Sequence, residues 1–66
     1  MFQISLKAAR VNAGYNTTEA AKLFKVSPMT LRKWEKTPGI VPAFRQAEIS
    51  KHYNISIDNI KFIPKD

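Results

Sequence analysis

The chain has 66 residues, 44% of them hydrophobic, and no cysteine. These features bound it to one small domain near the lower limit for a self-sufficient core, and exclude disulfide staples, thiolate metal sites and cysteine nucleophiles. Eleven Lys and Arg against five Asp and Glu leave a formal net charge of +6, a field that favours anionic partners, nucleic acid foremost.

Leu6, Ala9 and Ala13 recur at helical spacing between Ser5, a capping hydroxyl, and Gly14, suited to the left-handed conformation just past a helix end. This predicts a first helix over residues 5 to 13. In "NTTE", Asn16 is placed to cap a second helix while Glu19 reaches back in a capping box. That helix runs to about Phe24 and turns Ala20, Ala21 and Phe24 inward, its two small residues allowing a close crossing by a neighbour. After only "KV", Ser27 and Pro28 start a third helix, with proline where a missing N–H costs nothing. At 100° per residue, Leu31, Trp34 and Glu35 share one side of it; Met29, Arg32, Lys33 and Lys36 share the other. Trp34 is read as core.

"TPGIVP" breaks the third helix, and "AFRQAEISKHYN" supplies a fourth, with Ala47, Ile49 and Tyr53 inward and Asn54 as its left-handed cap. Ser56 caps a final short turn carrying Ile57 and Ile60. The ends, "MFQIS" and "IKFIP", alternate like short strands, but fraying termini are expected. An all-α domain of four or five helices follows.

At this point the residues resemble a family. Helix, tight turn with Val26, and "SPMTLRKWEK", with Ala21 at the close-packing position, are similar to the helix-turn-helix of Cro/repressor (Xre-type) DNA-binding domains. "LKAARVNAG" resembles that family's first helix and exit glycine, and "YNISIDNI" the turn into its last. The resemblance covers about residues 5 to 60. It implies a compact four- or five-helix bundle of the lambda-repressor-like type spanning 1–66, with the helix-turn-helix at about 17–36 and short terminal arms. It also implies that the second helix crosses the DNA backbone and the third enters the major groove. Carried over by position, Thr17, Ser27 and Thr30 contact phosphate, Pro28, Met29, Arg32 and Lys33 face base edges, and Lys36 extends the basic face. Arg10 and Glu35 pair as a structural ion pair between helices one and three. A homodimer on double-stranded DNA is implied, for which Ile57, Ile60, Phe62 and Ile63 are the candidate interface.

Three positions depart from the family pattern. Lys25 stands where glycine is frequent and needs a positive φ or an altered turn; Leu23 falls at a commonly polar place; Pro28 and Met29 replace the amide and hydroxyl residues that often read bases. Two alternatives therefore stay open: a modulator that binds a partner repressor protein, and an excisionase-like architectural factor, which needs a β-hairpin wing in "TPGIVPAFR". The single histidine, His52, has no second ligand beside it, the carboxylates are scattered, and there is no phosphate-cradling glycine loop. No metal, no cofactor and no enzymatic activity are expected. No window approaches the roughly 18 apolar residues of a membrane span, and "MFQISLKAAR" lacks the pattern of a signal peptide, so a cytoplasmic protein without a membrane partner is expected.

Overall fold

Three of the four helices begin on the polar side chain that precedes them, in a computed structural model that describes residues 2–62. Ser5 Oγ accepts from the Ala8 amide at 3.0 Å and opens α1 (Leu6–Asn12). Asn16 and Glu19 exchange reciprocal bonds of 2.8 and 2.9 Å at the start of α2 (Thr17–Phe24). Ser27 Oγ accepts from the Thr30 amide at 3.1 Å ahead of α3 (Pro28–Lys36), with Pro28 in the first position. Each cap satisfies amides that would otherwise lack a partner, an effect of about 1 kcal/mol. The fourth helix, α4 (Ala43–Tyr53), starts after Pro42 with no side-chain cap.

Helix ends repeat one device. After α1, α2 and α4 the chain turns through Gly14 (φ 89°), Lys25 (φ 58°) and Asn54 (φ 54°). At each, two amides fold back on the last turn: Gly14 to Val11 and Tyr15 to Arg10, Lys25 to Lys22 and Val26 to Ala21, Asn54 to Lys51 and Ile55 to Ser50. This is the paired closure of a Schellman motif. Glycine and asparagine tolerate the left-handed region; for Lys25 the Cβ makes it strained. The positive φ at Lys25 is thus how the chain resolves the missing glycine.

The core gathers one face of every helix: Leu6 and Ala9, Ala20, Ala21 and Phe24, Leu31 and Trp34, and Ile49 and Tyr53, closed by Val41, Ile60 and Phe62. Phe24 is its centre, with ring centroids 6.3 Å from Trp34, 5.6 Å from His52 and 5.5 Å from Tyr53. Ala20 and Ala21 are fully buried, and α2 packs on α3 more extensively than any other two elements pack. Leu23 is half-buried against the core. Ala47 is exposed, contrary to expectation. It lies two positions from Ile49, about 200° round the helix, and the position in register with Ile49 and Tyr53 is Arg45.

One further expectation is corrected, and the excisionase-like alternative loses the wing it needs. Between α3 and α4 the chain makes a single 3-10 turn, Pro38–Ile40, in place of a hairpin wing. Pro38 and Pro42 each lack the N–H that a strand ladder needs. The ends of the described chain do not fray: the Ile4 amide donates to the Asn59 carbonyl and the Lys61 amide to the Ile4 carbonyl, both at 2.9 Å, forming a parallel bridge between Ile4 and Ile60. Ile60 and Phe62, 2% and 5% exposed, anchor it in the core, so neither offers a partner an open apolar surface; Ile57 is 39% exposed, and Ile63 lies outside the described residues. Ser56 does cap the short turn Ile57–Asn59. No described helix is long and apolar enough to cross a membrane.

Candidate functional site

The third helix is held by one face and open on the other. Leu31 and Trp34 fix it to the core, and Pro28, Met29, Arg32, Lys33 and Lys36 all point outward. Its lone carboxylate, Glu35, turns the other way, where Arg10 of α1 receives it. Arg10 Nε donates to Glu35 Oε2 at 2.7 Å, Nη2 to Oε1 at 3.4 Å, and Nη1 to the Tyr15 carbonyl at 3.0 Å. Both side chains are close to nine-tenths buried, so this pair is desolvated and geometrically committed. Its consequence for α3 is electrostatic: the anion is removed from the outward face, and three cations remain there. Arg32, Lys33 and Lys36 make no salt bridge among the described residues, nor do Lys22 and Lys25 beside them in sequence on α2 and the turn.

The capping hydroxyls sit at the same end of α3. Ser27 is exposed and Thr30 half-buried, with Ser27 Oγ donating to Thr30 Oγ1 at 3.1 Å. Thr17 is half-buried at the first position of α2, where a backbone amide has no intrahelical acceptor. Hydroxyls and free amides at helix starts are suited to anionic oxygens. Met29, 65% exposed, stands among the cations of α3 as an apolar contact point. Thus Pro28, Met29, Arg32, Lys33 and Lys36 share one open face, with Ser27 and Thr30 at its rim. Glu35 lies at the inner edge of that face, turned onto Arg10 of α1, and Ile57 belongs to the short turn after α4.

Two residues have roles that sequence reasoning missed. Arg45 is only partly exposed and binds across elements: Nη1 donates to the Phe24 carbonyl at 2.8 Å and to Glu48 at 2.9 Å. Its register with Ile49 and Tyr53 was the available signal. The Tyr53 hydroxyl is buried without a hydrogen-bond partner among the described residues, and burial, with Glu35 nearby, pushes it above the ordinary tyrosine range. No spacing in the sequence marks it.

Two depressions lie away from this face, one of them lined by Gln3, Gln46, Ile57, Asp58, Ile60 and Phe62. The other, of about 430 Å³ between α1 and the end of α4, contains no residue of α2 or α3. No group of three or more His, Cys, Asp or Glu able to hold a metal forms among the described residues. The described residues therefore form a small, mostly helical domain with four α-helices, and among them no salt bridge compensates the cationic face of α3. No family model, curated protein or solved structure matches it.

Proposed function

We propose that the protein is a small sequence-specific DNA-binding regulator of repressor type, in which α2, the Lys25 turn and α3 act as a helix-turn-helix. In this reading α3 lies in the major groove and the start of α2 rests on the backbone. The observation that carries it is the outward face of α3, where Arg32, Lys33 and Lys36 are exposed and make no salt bridge among the described residues while Glu35 is sequestered by Arg10. Arg and Lys can donate to guanine O6 and N7, and Met29 can meet a thymine methyl. The amides and hydroxyls at Thr17, Ser27 and Thr30 suit phosphates, which set register without reading sequence. Two copies on a two-fold operator with half-sites one turn apart complete the proposal.

Selection from a random DNA pool, followed by titration of the selected and a scrambled duplex at two salt concentrations, tests it. A palindromic winner preferred by about 10³-fold or more supports specific dimeric readout. Equal, steeply salt-dependent binding to both duplexes refutes it and leaves only an electrostatic face. Substituting Arg32 or Lys33 then separates their roles: relaxed preference at particular base pairs assigns a side chain to bases, and uniform weakening assigns it to the backbone. The second reading, a modulator of a partner repressor, is favoured by one feature, the 65% exposed Met29 beside Pro28, since both suit an apolar protein groove. Weak and unselective DNA binding would turn attention to it.

A further inference from the structure

Arg45 stands where three helices meet. The closure at Lys25 uses the carbonyls of Ala21 and Lys22, and the Phe24 carbonyl at the end of α2 is met instead by Arg45 Nη1 at 2.8 Å. The same guanidinium lies 5.8 Å from the centroid of the Trp34 ring on α3 and 5.4 Å from that of Phe44. Glu48, one turn further along α4, accepts from Nη1 at 2.9 Å and holds the fork in place. One planar cation therefore touches the end of α2, the buried aromatic of α3 and two side chains of α4.

From these contacts we infer that Arg45 is a positioning residue that sets the tilt of α3, acting through the Phe24 carbonyl and the Trp34 ring. The far half of α4 reaches the α2–α3 pair through apolar packing, with the rings of His52 and Tyr53 on Phe24. Near the start of α4, Arg45 supplies a directional tie: a hydrogen bond fixes distance and a cation over a ring fixes angle. Both hydrogen bonds leave one nitrogen, which a lysine ammonium can imitate, but lysine offers no plane to lie over the Trp34 ring and so cannot reproduce both contacts from one geometry. For its effect on recognition, the inference rests on the proposed reading of α3 as the DNA-facing helix; its structural content does not.

The test compares Arg45→Lys and Arg45→Met with the parent protein, using amide hydrogen exchange along each helix and the preference for the selected over the scrambled duplex. The expected result is faster exchange in α3 and in the turn at Lys25 relative to α1 in both variants. Preference for the selected duplex falls about tenfold, the loss associated with one misaligned base contact, with little change in binding to the scramble for Arg45→Lys. Parent-like exchange in Arg45→Lys overturns the inference, and so does a loss equal on both duplexes, which would make Arg45 a phosphate contact. If α3 loosens as expected but the parent shows no duplex preference, the positioning role stands and the DNA-binding reading falls. Should the variants fail to fold, nuclear Overhauser effects between the Arg45 guanidinium and the Trp34 ring in the parent protein decide the matter, their absence removing the contact on which the inference depends.

Discussion

Replacing Glu35 by alanine puts the Arg10 pair to a quantitative test. The substitution leaves a guanidinium that is more than nine-tenths buried with only the Tyr15 carbonyl as acceptor among the described residues. Removing one partner of a buried pair costs about 3–5 kcal/mol, because the remaining charge stays desolvated. The surviving bond to Tyr15 places this case near the lower end, about 3 kcal/mol. A chain of 66 residues has a total stability of roughly 3–10 kcal/mol, so the loss takes between about a third and nearly all of it. The midpoint of thermal unfolding should fall by roughly 12–24 °C. Urea unfolding, followed by circular dichroism and by the fluorescence of Trp34, the chain's one tryptophan, measures the change directly. A companion double variant, Arg10→Met with Glu35→Leu, should recover most of the loss, since apolar replacements of similar size remove both charges together. A Glu35→Ala protein destabilised by less than about 1 kcal/mol would refute the reasoning, and would mean that Arg10 finds water or another acceptor at no great cost.

Other substitutions have equally definite expectations. Lys25→Gly should raise stability by about 0.5–1 kcal/mol in the same urea assay, because glycine occupies φ 58° without a Cβ penalty. Under the DNA-binding reading it should also weaken phosphate binding and lower the salt slope by up to about one unit. Tyr53→Phe removes a buried hydroxyl that has no partner among the described residues and should stabilise the fold by about 1 kcal/mol at neutral pH. Since the folded Tyr53 holds its proton more tightly than the unfolded one, its contribution is complete below about pH 10 and is lost as pH rises above that value. Parent and Phe variant should therefore diverge in the pH dependence of unfolding only in strong alkali, where the parent declines the more steeply. Phe62→Ala should cost about 3 kcal/mol as a core truncation, whereas Ile57→Asp should leave stability nearly unchanged. Sedimentation of Ile57→Asp with the selected duplex is thus the cleaner probe of self-association.

How much of this was legible in the sequence depended on how far apart the cooperating residues lie. The starts of α1, α2 and α3 were readable because Ser5, the Asn16 and Glu19 box, and Ser27 with Pro28 act on amides within three residues of themselves. The two faces of α3 followed from a single rotation per residue. Arg10 and Glu35 sit 25 positions apart, and only the family resemblance joined them. Ala47 reads as inward because it is small and apolar, but the register belongs to Arg45, whose stem packs and whose head finds polar partners. Ile60 and Phe62 read as part of a fraying end and as interface candidates, since nothing local announces that Ile4 will pair with Ile60. Non-local pairing by backbone atoms leaves the weakest trace in composition or period.

That same pairing orders the life of the molecule. Helices α2 and α3 are joined by a few residues and can meet early, but the bond between Ile4 and Ile60 must wait until almost the whole described chain has been gathered. With only two backbone bonds across it, the clasp is expected to open before the helical core, an order that hydrogen exchange at the Ile4 and Lys61 amides, compared with those of α3, tests directly. Its opening frees Ile60 and Phe62 while leaving α3 seated on α2. Degradation by a cellular protease would then begin from a state in which the cationic helix is still intact, so that how long the protein persists is governed by the clasp, separately from how strongly its basic face binds.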